Sequence, residues 1–176
     1  MTPDQNPQPV KLVFGLLYRE NDLCNEIMGR LQDHYSPLDY QGEAVPFTDT
    51  DYYQQEMGPD LKRIVISLRD PVPAQELVSA KWFCREWEQE LAVRGDRTVN
   101  LDPGYLDLFK LVLASFKGRV NKLYLDRGVW ADLTLYYTRG AFHSLPWTFP
   151  DFAGGRFDKD LLAIRNLYKS QLRALK

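Results

Sequence analysis

The sequence predicts an α+β fold, and three observations carry that expectation. Apolar runs of strand length alternate with amphipathic helical segments as far as Asp102. Short β-type runs separated by turn signals follow, and one further amphipathic stretch closes the chain. The 176 residues are 44% hydrophobic and 26% charged, which is enough apolar material for one full core.

Each element has its own warrant. Lys11–Tyr18 is a continuous apolar run suited to a strand buried on both faces. Asn21 or Asp22 caps a helix with Leu23, Ile27, Leu31 and Tyr35 on one face, and Ser36-Pro37 stops it. Glu43–Phe47 reads as a short strand and Arg63–Leu68 as a strongly apolar one. Asp70-Pro71-Val72-Pro73 opens a helix over 74–93 that presents Leu77, Ala80, Cys84, Trp87 and Leu91, and Gly95 ends it.

Thr98–Asp102 is a strand with Val99 and Leu101 inward, after which Asp102-Pro103-Gly104 is expected to turn. The order β-α-β-β-α-β matches a ferredoxin-like core over residues 10–105. Runs at 109–116, 120–125 and 129–137 are expected to extend that core as an antiparallel β-meander, and a C-terminal helix over 158–175 completes a single domain of residues 10–176. Residues 1–9 are polar and Pro-rich, with neither a basic start nor an apolar core of a signal peptide, and are expected to be a disordered lead-in.

Composition bounds the function. No run approaches the ~20 apolar residues of a membrane-spanning helix. Cys24 and Cys84 both lie in helical apolar patterns, which fits buried free thiols in a reducing cytoplasm better than a disulfide. Two histidines, His34 and His143, are too few for a multi-His metal site, and His143-Ser144 adjacency makes no catalytic triad by itself. Net charge is −2, yet residues 1–104 carry 10 Lys/Arg against 18 Asp/Glu, and residues 105–176 carry 12 against 6. The basic second half either meets an anionic partner or is attracted to the acidic half, within the monomer or across a homodimer.

Candidate chemistry is sparse. Asp49, Asp51 and Glu56 fall within eight positions and supply oxygen ligands for a cation such as Mg²⁺; an exposed acidic loop packed on Tyr52 and Tyr53 is the competing reading. Asn100 and Asp102 share one strand face and are expected to converge with Lys117 and Asp132, with an Asp102–Lys117 pair at the centre. Lys117 and Arg119 flank Gly118 as a phosphate-holding turn or a solvated hairpin tip. Pro146–Phe152, with Trp147, is expected to be an extended segment pinned on the core. A classical P-loop GTPase is excluded. There is no Gly-x-x-x-x-Gly-Lys-Ser/Thr loop, Asn121-Lys122 is followed by Leu-Tyr, and Asp151-Phe152-Ala153-Gly154 alone fits a short chance pattern.

Asn100–Tyr105, the 110–117 strand, 126–137, the Leu145–Asp151 stretch and the Tyr-Tyr-x-x-Glu-Met-Gly segment within 47–58 together resemble the domain of unknown function 4416 family. The likeness spans nearly the whole chain after its first nine residues and implies no activity. Two classes of function remain beside a protein-interaction or scaffold domain. One is a module binding a phosphorylated ligand, nucleotide or nucleic acid, through Asn100, Asp102, Lys110, Lys117, Arg119, Lys122, Asp132 and Trp147. The other is a metal-assisted phosphate-transfer or hydrolysis enzyme using Asp49, Asp51, Glu56 and Asp102.

Overall fold

In the computed structural model, residues 7–119 and 121–175 are described. These described residues form an α+β fold with one nine-stranded sheet in which every paired neighbour is antiparallel. Strand β1 (Lys11–Tyr18) is flanked on both sides, by β4 (Lys62–Leu68) and β5 (Val99–Leu106), and is buried along its whole length. Beyond β4 lie β2 (Leu38–Gln41) and β3 (Val45–Pro46). The expected strand at 43–47 is therefore only two residues long, and 38–41 takes the larger share of that edge. Ser36-Pro37 forces the chain into extended backbone one step earlier than the hydrophobic pattern indicates.

Alternation along β1 sends Leu12, Phe14, Leu16 and Tyr18 to one face and Val13, Gly15 and Leu17 to the other. The first face packs under helices α1 (Asn21–His34) and α3 (Glu76–Glu90), through Ile27, Leu31, Ala80 and Cys84. Both helix starts lack a side-chain cap bond, so burial rather than capping holds them, at about 1.5–3 kcal/mol per enclosed large side chain. The second face is covered by α5 (Asp158–Ala174), whose Leu161, Ile164 and Tyr168 meet Val13, Val65, Leu106 and Leu111. Tyr168 Oη donates to the Pro9 carbonyl at 2.6 Å, while residues 1–6 of the proline-rich lead-in lie outside the described residues.

The expected turn at Asp102-Pro103-Gly104 is not there. Strand β5 runs straight through it, with Pro103 opposite Phe14 and Gly104 opposite Val13. The Leu101 N–H and C=O point away from β1, so by period two the Pro103 nitrogen does as well, and no rung of the β1–β5 ladder is lost. Strand β6 (Lys110–Ser115) joins β5 only at Gly104, Tyr105 and Leu106. A Cβ at Gly104 would come within 2.7 Å of the Val112 carbonyl oxygen, so glycine permits this close seam.

The expected meander is also rearranged. Strand β6 pairs with β8 (Val129–Thr138), not with β7 (Lys122–Asp126), and β7 and β9 (Ala141–Ser144) lie along the far edge of β8. The β7–β8 hairpin closes locally at Arg127-Gly128, both with positive φ. That leaves β6, whose Leu111, Val112 and Leu113 are buried, the interior place between β5 and β8. Val120, at the start of the expected 120–125 strand, lies outside the described residues.

Candidate functional site

Because β5 and β6 are joined only at 104–106, they diverge over Val99–Pro103, and a cavity of about 920 Å³ opens between them. Side chains of α3 replace the missing strand there. Glu88 Oε1 accepts from the Leu101 N–H at 2.6 Å, and Lys81 Nζ donates to the Leu101 carbonyl at 3.2 Å. Seven residues separate them along α3, so two turns put both on one face. The β5 edge at Leu101 is thus satisfied without closing the gap.

On the floor lies a continuous polar chain. The Glu56 carboxylate accepts from Arg97 Nε and Nη2, both at 2.7 Å, and Arg97 Nη1 donates to Asn100 Oδ1 at 2.7 Å. Asn100 Nδ2 donates to Asp102 Oδ2 at 3.0 Å, and Arg63 Nη2 donates to the same oxygen at 2.9 Å. Arg63 Nε then stands 3.3 Å from Asp151 Oδ2, on the one-turn helix α4 (Pro150–Ala153), without forming a hydrogen bond. Arg63 is 4% exposed, Asp151 7% and Asp102 25%.

Arg63 reaches Asp102 across β1 because Gly15 is in the way with nothing. Gly15 is directly opposite both Val65 and Asp102, and a Cβ on it would lie 2.8 Å from Arg63 Nη2. The guanidinium also lies near the rings of Phe47 and Phe152, at 6.0 and 5.7 Å.

This arrangement separates the two carboxyls. Burial pushes the Asp102 carboxyl up, but the charges of Arg63 and Lys81 and bonds from Asn100 and Arg63 outweigh it and hold it below the ordinary range. Burial keeps Asp151 above that range, since Arg63 only partly offsets it and Asp102 opposes ionisation. Glu56 is held low chiefly by its bonds to Arg97. The lowered Asp102 contributes stability that is present above its unfolded value, about 3.9, and is lost as pH falls through the folded value. Chemical denaturation of Asp102→Asn and of the parent should therefore show a stability gap at pH 7 that narrows progressively below about pH 3.9; a gap that widens on acidification contradicts the assignment.

At the mouth, Arg85, Lys117 and Arg119 are exposed, with the exposed aromatics Tyr52, Trp147 and Phe149. Lys117 Nζ meets the Tyr52 hydroxyl at 3.3 Å and Arg85 lies 4.8 Å over Phe116. Among the described residues none of these three cations is in an ion pair. Lys122 and Asp132, by contrast, form a buried pair at 3.1 Å in the cavity wall.

Asn100, Asp102, Lys117, Arg119, Asp132 and Trp147 all line this cavity. The pairing differs from expectation, because Asp102 is bound by Arg63 while Lys117 packs on Tyr52. Lys110 pairs with Asp107 and does not line the cavity. The acidic trio is not assembled. Asp49 takes Arg156 at 2.7 Å, Asp51 takes the Gln54 amide at 2.8 Å, and Glu56 takes Arg97. Among the described residues no three His, Cys, Asp or Glu side chains group as metal ligands. The helical turn α2 (Gln54–Met57) turns Glu56 toward Arg97, away from its acidic neighbours in sequence.

Trp147 Nε1 donates to the Leu133 carbonyl at 2.9 Å and Thr148 Oγ1 to the Thr134 carbonyl at 2.6 Å. The expected extended segment is thus pinned across β8, but Pro150 then starts α4, which aims Asp151 inward. Arg63 and Asp151 were not singled out as a pair by sequence reasoning. A signal existed: a glycine interrupts β1 in mid-strand, and an arginine stands at the head of the apolar run of β4. His143 stacks on Tyr136 at 5.3 Å, and Cys24 and Cys84 are buried free thiols.

No helix among the described residues is long and apolar enough to cross a membrane. No curated protein and no solved structure matches the chain. The model of one family, described as a domain of unknown function (DUF4416), matches residues 8–168, and the chain belongs to that family.

Proposed function

We propose that this chain is a cytoplasmic binding module for a phosphorylated ligand, with a nucleotide favoured over a nucleic acid, and that the ligand enters the cleft between β5 and β6. The observation that carries this is the mouth, where Arg85, Lys117 and Arg119 have no carboxylate partner among the described residues and stand among exposed aromatic rings. Unpaired cations supply charge-assisted bonds to phosphate, and aromatic faces supply stacking surface for a base. A cleft volume of about 920 Å³ is of the size that takes a small molecule. The strand order β2-β4-β1-β5 supports reading the first half as ferredoxin-like, with the cleft at the outer edge of its last strand. Buried free thiols are in keeping with a reducing compartment.

The test is fluorescence anisotropy of a labelled nucleoside triphosphate and of a labelled short single-stranded oligonucleotide, with and without Mg²⁺ and over a salt series. Saturable nucleotide binding is expected. The Lys117→Ala/Arg119→Ala double variant should weaken it by one to two orders of magnitude, since each bond to a charged group contributes at most about 1.5–3 kcal/mol and solvent screens both cations at this exposed mouth. Tighter oligonucleotide binding with a steep salt slope favours the polymer instead, and no binding of either rejects the proposal.

A further inference from the structure

We infer that the cleft takes its ligand in one orientation, with phosphate at the mouth against Arg85, Lys117 and Arg119 and an uncharged hydrogen-bonding ring on the floor against Asp102 and Arg63. This rests on the phosphorylated-ligand reading above and specifies how that ligand lies. The argument is one of charge and unspent hydrogen-bonding capacity.

The floor has no surplus of positive charge. Its one buried guanidinium, Arg63, is shared by two carboxyls, Asp102 and Asp151. Arg97, the next cation along, already holds Glu56 with two bonds and Asn100 with a third. Counting Lys81 and Glu88, which also line this end, three cations (Arg63, Arg97, Lys81) face four carboxyls (Asp102, Asp151, Glu56, Glu88), so a phosphate placed there would meet no surplus of positive charge and lose its hydration as well. The mouth is the reverse. Its three exposed cations have no carboxylate partner among the described residues, so phosphate charge is satisfied there with little desolvation.

What the floor does offer is an acceptor beside a donor. Both hydrogen bonds to Asp102 arrive on Oδ2, from Arg63 and Asn100, and among the described residues none reaches Oδ1. The guanidinium carries five N–H donors and spends one of them, on Asp102. A rigid carboxylate oxygen next to a planar, under-used guanidinium matches a ring edge that carries an N–H beside a carbonyl or ring nitrogen. The position is fixed from three sides, by Gly15 beneath the guanidinium, by the Phe47 and Phe152 rings, and by Asn100 holding Asp102. Such fixation is what selective reading of a polar edge requires, because a site built for specific bonds rejects a ligand that leaves them unmade.

Calorimetric titration separates the two ends. The titrants are inorganic tripolyphosphate and the adenine, guanine, cytosine and uracil nucleoside triphosphates. The proteins are the parent, Lys117→Ala/Arg119→Ala, Asp102→Asn and Gly15→Ala, each checked by thermal melting. Gly15→Ala disturbs the guanidinium without changing any charge and so stands in if Asp102→Asn does not fold. The mouth variant is expected to weaken tripolyphosphate and all four nucleotides by tenfold or more. The floor variants are expected to leave tripolyphosphate within about twofold and to cost the preferred nucleotide tenfold or more, compressing the spread among the four. Equal weakening of tripolyphosphate and nucleotides by the floor variants overturns the orientation, and so does an unchanged spread. Failure of the parent to bind tripolyphosphate or any nucleotide overturns the phosphorylated-ligand reading itself.

Discussion

Arg63→Ala is expected to lower stability by about 3–5 kcal/mol, because it leaves the buried Asp151 and the partly buried Asp102 without the cation between them. For a chain of this size that corresponds to a fall in Tm on the order of 10 °C, readable by calorimetry at pH 7. Relief on acidification is part of the expectation. With the guanidinium gone both carboxyls favour protonation, so the variant's deficit should shrink as pH falls, and the deficit should shrink again in Arg63→Ala/Asp151→Asn at pH 7. Arg63→Lys keeps the charge but loses the planar fork that spans two carboxyls, and should fall between parent and alanine variant. A Tm within 2 °C of the parent for Arg63→Ala would show that the floor network is not what holds β4, β5 and α4 together.

Asp132→Ala should have an effect of similar size for the opposite reason. It strands the Lys122 ammonium, whose side chain is 6% exposed and whose partner carboxylate is 5% exposed. Ser115 Oγ at 3.0 Å and the Phe149 ring at 5.7 Å compensate only in part, so a loss of about 3 kcal/mol is expected. The informative companion is the double variant Lys122→Met/Asp132→Leu. Replacing both partners by apolar groups should recover most of the loss, since a buried ion pair is favourable mainly against its own half-removed states. Denaturant titration of the parent, Lys122→Met, Asp132→Leu and the double variant closes a cycle that measures the coupling. Additive single effects would mean the pair is not a unit.

The strongly periodic elements were legible in the sequence. Strand β1, helix α1, strand β4 and helix α3 fall within a few residues of where apolar spacing puts them. Pro103-Gly104 was not, since a Pro-Gly step signals a turn locally and only the absence of a strand partner on the β6 side of Pro103 lets β5 continue. The order β6-β8-β7 was equally hidden, because strand spacing reveals hairpins and not which strand is captured by the buried edge. As for the site, alternation put Asn100 and Asp102 on one face, and that face does line the cavity with Lys117, Arg119, Asp132 and Trp147. Arg63 as the partner of Asp102 was invisible for a geometric reason: it sits on the far side of β1 from Asp102 and touches it only across the missing side chain of Gly15.

The short seam between β5 and β6 has a mechanical meaning. Three register positions join these strands, against eight between β1 and β5, and all three lie at one end. The sheet therefore resembles tweezers whose legs are β5 and the β6–β8 pair and whose spring is the crowded backbone at Gly104 and Val112. Spreading the legs breaks no rungs along the gap, since none exist there, and the strain collects in the spring. The width of the gap is set by how stiffly that one crossing is packed, two residues along β5 from the Asp102 that a guest would meet.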